Sequence, residues 1–152
     1  MKPFKRIICP TDFSEPAKVA LDAATMLVNK FDAELHLVHV VPPVPIASVH
    51  APSPAFDVEG YYRELVNSAK DRLKKLVDTA LPDKLEPRQT VVQGDPASEI
   101  VRIAHDEDAD LIVMSTHGES GFRRFVFGSV AQKTIQLAER PVLAVPIKDQ
   151  HE

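Results

Sequence analysis

Short apolar segments alternate with longer amphipathic ones along the whole chain, and this alternation limits the folds open to it. Five segments rich in β-branched residues fit strands, and four segments with apolar residues at helical spacing fit the helices between them. The predicted strands are 6–10, 34–41, 90–93, 111–114 and 141–147, and the predicted helices are 14–31, 56–81, 97–106 and 129–139. This order predicts a parallel sheet with helices on both faces, because parallel strands need long, right-handed crossovers.

The amino-acid composition further limits the class of protein to which the chain can belong. The 152 residues, 44% hydrophobic and 26% charged, are typical of a globular domain rather than of a disordered chain. The net charge of −4 argues against nucleic-acid or anionic-membrane binding driven by overall charge. The single cysteine, Cys9, cannot form an internal disulfide, and no apolar run reaches the length of a signal peptide or of a membrane span. We expect one cytoplasmic domain over residues 1–152, with an exposed proline-rich loop at 42–54.

Glycine is concentrated in the connection between the fourth strand and the fourth helix. Three of the five glycines, Gly118, Gly121 and Gly128, fall there, and Ser129 follows. Glycine lets main-chain N–H groups approach an anion, and a helix N-terminus adds the positive end of its dipole. The same residues also fit an ordinary turn followed by a helix that begins with a capping box of Ser129 and Gln132. Taken alone, the segment favours this structural interpretation over an anion-binding one.

The connection after the first strand offers a carboxylate but no glycine. It reads Pro10-Thr11-Asp12-Phe13-Ser14, which excludes a Gly-x-Gly-x-x-Gly turn at this point, and the chain has no P-loop. Asp12 could accept a hydrogen bond from a ribose hydroxyl or an adenine amino group, and an Asx turn at the helix start explains it equally well. Ligands of open α/β sheets bind beyond the carboxyl ends of the strands, which makes both connections candidate sites.

Four segments together resemble the universal stress protein family. They are Ile-Ile-Cys-Pro-Thr-Asp-Phe-Ser-Glu at 7–15, Leu-Val-His-Val-Val at 37–41, the Ser-Thr-His-Gly…Gly-Ser block at 115–129, and Arg-Pro-Val-Leu-Ala-Val-Pro at 140–146. The nucleotide-binding branch of that family carries Gly-x2-Gly-x9-Gly-Ser/Thr. Gly118, Gly128 and Ser129 match its later positions, whereas Ser115 stands where the first glycine is expected.

The resemblance implies a three-layer, Rossmann-like domain whose five parallel strands lie in the order 3-2-1-4-5 with four helices. It implies an adenine nucleotide, ATP with AMP and ADP as alternatives, whose Mg²⁺ is held mainly by the phosphates. Asp12 would lie beside the nucleoside, the main chain of Val40 beside adenine, and Gly94 near the ribose. The residues implied for binding are Pro10, Thr11, Asp12, Val40, Gly94, Met114, Ser115, His117, Gly118, Gly128, Ser129 and Val130.

The resemblance further implies a homodimer through the last strand, 142–147, and a nucleotide-dependent module of stress response or signalling. A slow ATP hydrolase or phosphotransferase is the alternative, as is a dimerisation module that no longer binds nucleotide. We predict no catalytic residue, since no Ser-His-Asp order or carboxylate pair stands out. His36 and His39 face opposite sides of a strand and are interpreted as structural. Arg123 and Arg124 either offset phosphate charge or form a solvated loop face.

Overall fold

The strands of this protein form one parallel sheet in which the first strand is central. The computed structural model describes residues 3–44, 57–118 and 127–147. Its elements are β1 (Arg6–Pro10), α1 (Glu15–Phe31), β2 (Glu34–Val41), α2 (Val58–Ala80), β3 (Arg88–Gln93), α3 (Pro96–Asp106), β4 (Leu111–Ser115), α4 (Ser129–Leu137) and β5 (Val142–Val145). Most of the predicted proline-rich loop lies outside the described residues, as do Arg123 and Arg124.

The strand order is β3-β2-β1-β4-β5, with every pair parallel, which confirms the predicted fold. The chain moves outward from β1 through β2 to β3, then returns to the other side of β1 and continues through β4 to β5. The winding direction therefore switches between β1 and β4. Their carboxyl ends lie side by side at this point, where open α/β sheets form a ligand crevice.

Two apolar cores cover the faces of the sheet. Alternate residues of the strands face opposite sides, so Ile7 and Leu37 pack beneath α1 and α2, whereas Ile8 and Val38 pack beneath α3 and α4. Strands covered on both faces explain the nearly continuous apolar runs of the sequence. Cys9 is fully buried in the first core, and this burial raises the pKa of its thiol to about 12, as expected of an inert structural cysteine.

Side chains cap the N-termini of both α1 and α3. The side chain of Ser14 accepts from the N–H of Ala17 at the start of α1, and Asp95 accepts from Ser98 at the start of α3. The predicted capping box at α4 is wrong. Gly128 is the N-cap residue there, and no side chain caps the helix.

The boundaries of β1 and β2 match the prediction, and those of the other strands differ from it by at most two residues. The strand β3 begins at Arg88 rather than at residue 90, and β4 extends by one residue to Ser115. At the other edge, β5 is limited to the four residues that pair with β4. Among the helices that the structure describes, none is both long and apolar enough to cross a membrane.

Candidate functional site

A cavity of about 430 Å³ opens at the carboxyl edge of the sheet. It lies over the ends of β1, β2 and β4 and is bordered by the first residues of α3 and α4. Its volume falls within the ~300–1,000 Å³ of typical small-molecule sites. Eleven of the twelve predicted binding residues line this cavity: Pro10, Thr11, Asp12, Val40, Met114, Ser115, His117, Gly118, Gly128, Ser129 and Val130.

The twelfth residue, Gly94, is not part of the lining. Its N–H donates to the carbonyl of Val41 at 3.0 Å, and its φ of 153° suits glycine rather than an L side chain. A Cβ there would also come within 2.8 Å of the Glu99 side chain. The structure thus accounts for Gly94 by the turn between β3 and α3.

The β1–α1 connection is a tight turn that carries Asp12 to the cavity. Thr11 extends the sheet by donating its N–H to the carbonyl of Val38 at 2.8 Å, and its hydroxyl accepts from the N–H of Phe13 at 3.0 Å. The Asp12 carboxylate accepts from the N–H of Ser14 at 3.0 Å and from the Ser14 hydroxyl. Asp12 is therefore an Asx-turn residue and a cavity residue at once, so its two interpretations are compatible.

Glycine brings the β4–α4 connection against this turn. A Cβ on Gly118 would lie 2.7 Å from Oδ2 of Asp12, so no larger residue fits without displacing the carboxylate. The N–H of Gly128 donates to the carbonyl of Thr116 at 2.6 Å, which closes the connection just before α4. Since no side chain caps α4, its first N–H groups border the cavity without a side-chain acceptor.

The register of the sheet exposes main-chain groups at the end of β2. Pro10 and Val38 form the last β1–β2 pair, and Val38 directs its carbonyl toward β1. Two residues later, Val40 directs its main chain to the same side, past the end of β1. The Val40 and Met114 side chains are buried beneath the cavity and give it an apolar floor.

Both strand histidines have hydrogen-bond partners, as expected of structural histidines. Nε2 of His36 lies 2.7 Å from the Thr90 hydroxyl, on the α3 side of the sheet. Nδ1 of His39 donates to the carbonyl of Thr11 at 2.7 Å. The pKa of His39 is lowered chiefly by burial and also by Arg72, against opposing effects of the Thr11 carbonyl and Asp12.

The cavity also contains residues that the sequence interpretation missed. His39, Pro42 and Arg72 line it near the end of β2, and Pro96 and Ile100 of α3 complete the opposite wall. No local sequence pattern indicates this role for Arg72, which stands in a charged run of α2 that is typical of a solvated helix face.

His117 has a partner within the β4–α4 connection, since its Nδ1 lies 2.8 Å from the Thr116 hydroxyl. Its side chain nevertheless borders the cavity, so loop packing and ligand contact are compatible roles. Across the described ranges 3–44, 57–118 and 127–147, no group of three or more His, Cys, Asp or Glu side chains is arranged to hold a metal ion.

Comparison with known proteins identifies the family to which the chain is similar. A model of the universal stress protein family matches residues 3–146. The chain is 35% identical over 147 residues to the universal stress protein MJ0531 of Methanocaldococcus jannaschii, a match that covers 93% of this chain and 82% of that protein. It is 34% identical over 142 residues to a universal stress protein of Thermus aquaticus, covering 93% of this chain and 98% of that protein.

Solved structures give the same result. The structure of protein MJ0577, also of M. jannaschii, superposes with a TM-score of 0.80 at 31% identity, and the match covers 98% of this chain and 100% of that chain. Universal stress protein UspA of Lactobacillus plantarum superposes with a TM-score of 0.73 at 22% identity, covering 97% and 100%. From the family match and these likenesses, the chain belongs to the universal stress protein family.

Proposed function

We propose that the cavity binds an adenine nucleotide, with ATP as the first candidate, and that the protein acts as a nucleotide-dependent module of the stress response. The observation that carries this proposal is the meeting of two connections at one cavity. Asp12 and Gly118, more than a hundred positions apart in the sequence, approach so closely that any larger residue at position 118 would displace the carboxylate. The Asp12 carboxylate, which can accept a hydrogen bond from a nucleoside, therefore lies beside the glycine-rich β4–α4 connection, which is suited to bind phosphate.

The nucleoside end of the proposed site is formed by β1 and β2. Val40 offers a main-chain N–H and carbonyl past the end of β1, which is a pattern complementary to the donor and acceptor edge of adenine. The buried side chains of Val40 and Met114 supply an apolar surface for the base. Asp12 would accept a hydrogen bond from a ribose hydroxyl.

The phosphate end is formed by the connection from β4 to α4. The first N–H groups of α4, at Ser129 and Val130, lack a side-chain cap, and a helix N-terminus attracts anions. The hydroxyls of Ser115 and Ser129 are further donors at the cavity. A serine at position 115 retains a small side chain where the family motif has glycine, so we expect binding to survive this difference.

Two relatives support an adenine ligand for the fold. One universal stress protein was crystallised with cAMP, with a TM-score of 0.60 at 24% identity, and one from Archaeoglobus fulgidus with dAMP, with a TM-score of 0.58 at 22% identity. At these identities the likeness concerns the fold, so the proposal for this chain depends on its own cavity. We expect Mg²⁺ to accompany ATP and to be held mainly by the phosphates.

The test begins with the purified protein. It is denatured, any released nucleotide is identified by chromatography and mass, and ATP with Mg²⁺ is titrated calorimetrically into the stripped protein. We expect released or bound adenine nucleotide at one site per chain. Accumulation of the products of ATP hydrolysis over hours would distinguish the alternative slow hydrolase from a module that does not hydrolyse ATP. No release and no binding at millimolar ATP would contradict the proposal.

A substitution at the N-cap of α4 identifies the site. A Cβ at Gly128 would already lie 3.3 Å from the Thr116 carbonyl, and the methyl groups of valine need more room still. We expect Gly128→Val to abolish ATP binding while the circular dichroism stays close to that of the wild type. Gln132→Val introduces the same side chain one turn further along α4, outside the cavity, and should bind like the wild type. Unchanged affinity in Gly128→Val would mean that the site lies elsewhere.

A further inference from the structure

The residue after Asp12 adopts a backbone conformation that a bulky side chain rarely takes. Phe13 has a φ of 65°, in the left-handed region that favours glycine. Such a conformation persists only where the surrounding structure holds it in place, and it is enriched at functional sites. Contacts of the Phe13 ring should therefore account for its persistence.

Two residues from other elements contact that ring. His39 of β2 lies with its ring centroid 4.6 Å from that of Phe13, at an interplanar angle of 39°. Arg72 of α2 has its guanidinium carbon 4.1 Å from the Phe13 centroid, which is a cation–π distance. His39 is itself fixed by its hydrogen bond to the Thr11 carbonyl. The three side chains are called the Phe13 stack below.

The contact with the Phe13 ring is the one close side-chain contact of the Arg72 guanidinium in the described part of the chain. No hydrogen bond or ion pair joins its guanidinium to the residues at 3–44, 57–118 and 127–147. Of the lysines nearby on α2, Lys74 pairs with Asp78, and Lys75 is exposed and does not line the cavity. Among the described cavity-lining residues, Arg72 is the only lysine or arginine.

The Phe13 stack adjoins the contact on which the site depends. Within this turn, the N–H of Phe13 donates a hydrogen bond to the Thr11 hydroxyl, and the N–H of Ser14 donates one to the Asp12 carboxylate. Oδ2 of Asp12 lies 2.7 Å from the position that a Cβ would take on Gly118, so a rotation of this turn would change how the carboxylate faces the glycine. Holding the Phe13 ring therefore holds the Asp12 carboxylate.

We propose that Arg72 is a positioning residue of the nucleotide site, which holds Asp12 in place through the ring of Phe13. This inference rests on the proposed nucleotide binding, and it adds a residue of α2 to a site otherwise formed at the ends of β1, β2 and β4. In this proposal, Arg72 acts through the ring rather than through direct contact with the ligand. Its effect on affinity therefore requires an aromatic side chain at position 13.

The experiment compares nucleotide affinity and backbone protection in matched variants. Arg72→Gln removes the cation, Arg72→Lys keeps it, and Lys75→Gln removes an equal charge from α2 outside the cavity. We expect Arg72→Gln to weaken ATP binding by about fivefold, the scale of one partly exposed cation–π contact. Arg72→Lys should restore most of the loss, and Lys75→Gln should bind like the wild type.

A double-mutant cycle with Phe13→Leu tests the route of the effect. Leucine keeps an apolar side chain but removes the ring, so adding Arg72→Gln to Phe13→Leu should cost no further affinity. An equal cost in both backgrounds would mean that Arg72 contacts the nucleotide directly and would overturn the proposal. If Phe13→Leu fails to fold, Phe13→Met takes its place in the cycle. Wild-type affinity in Arg72→Gln would also overturn the proposal.

Amide hydrogen exchange separates this inference from the proposed function. In the absence of nucleotide, Arg72→Gln should speed exchange at the N–H groups of Phe13 and Ser14, while Lys75→Gln should not. If the wild type binds no nucleotide, the proposed function fails, and faster exchange in Arg72→Gln still supports the positioning role. Unchanged exchange at both amides would overturn that role whatever the wild type binds.

Discussion

At the scale of single residues, the contact between Asp12 and Gly118 is the most restrictive feature of the site. We expect Gly118→Ala to weaken ATP binding at least about tenfold, because its Cβ would lie 2.7 Å from Oδ2 of Asp12 and must displace the carboxylate. The affinity is measured by calorimetry, and the melting temperature should change little because the clash can be relieved by an exposed side chain.

The variant Asp12→Ala provides the control, since it removes the atom with which the new methyl group clashes. Adding Gly118→Ala to Asp12→Ala should cost little further affinity, if the two residues act as one contact. Full wild-type affinity in Gly118→Ala would show that the carboxylate does not take part in binding.

Residues of the site differ in how far the sequence revealed them. Gly118, Gly128 and Ser129 were predicted from the resemblance to the family motif, whose fixed glycine spacing is visible in one dimension. Arg72 was missed because its role depends on α2 packing beside the β1–α1 turn, which no local pattern encodes. Gly94 was placed near the ribose by the family resemblance, whereas in the structure it forms the turn between β3 and α3 and is not among the residues that line the cavity.

At the scale of elements, the N-termini of α3 and α4 are joined by an ion pair. Asp95 caps α3 by accepting from Ser98, and it also receives a hydrogen bond from Lys133 of α4 at 2.9 Å. The hydrogen bond from Lys133, followed by those from Ser98, lowers the pKa of Asp95 from its ordinary 3.8 to about 2. Because the folded-state pKa is the lower one, this stabilisation is present above pH 3.8 and is lost as the pH falls toward 2.

The variant Asp95→Asn tests this ion pair, because it keeps an oxygen at the helix cap but loses the negative charge. Its free energy of unfolding should be lower than that of the wild type by a constant amount from pH 7 to about pH 5, and the difference should vanish as the pH falls through about 4 toward 2. Urea unfolding at each pH measures this. Asp83→Asn removes a carboxylate that has no hydrogen bond or ion pair with the described residues, so it should show no such convergence. A pH-independent loss in Asp95→Asn would contradict the ion-pair explanation.

The presence and order of the strands and helices were easier to predict from the sequence than the residues at which they begin and end. The order of strands and helices follows from periodicity, which averages over many residues. Ends depend on single hydrogen bonds, so β3 begins at Arg88 because that residue pairs with His36, although its polar side chain looked unlike a strand. The capping box failed at α4 for a related reason, since the close approach of Gly128 to Thr116 makes Gly128 rather than Ser129 the first cap residue.

At the scale of the whole molecule, the sheet has an edge at β5 with apolar side chains beside it. Within the described sheet β5 pairs only with β4, and Leu143 and Ile147 are 41% and 44% exposed. On the adjoining helix α4, Ile135 and Leu137 are similarly exposed. An apolar strand edge of this kind is usually covered. We therefore propose a homodimer in which strand 142–147 of one chain faces the same strand of its partner.

The variant Leu143→Glu tests this proposal, because it places a carboxylate within the proposed interface. Two copies related by a two-fold axis would bring these charges together away from water, which costs several kcal/mol. We expect the wild type to be a dimer by light scattering and Leu143→Glu to be a monomer at the same concentration, with unchanged circular dichroism. Met26→Glu is the matched control, since Met26 is an apolar residue of α1 that is 73% exposed. A monomeric wild type, or a Leu143→Glu variant that stays dimeric, would contradict the interface, because a buried carboxylate pair could not be accommodated there without dissociation.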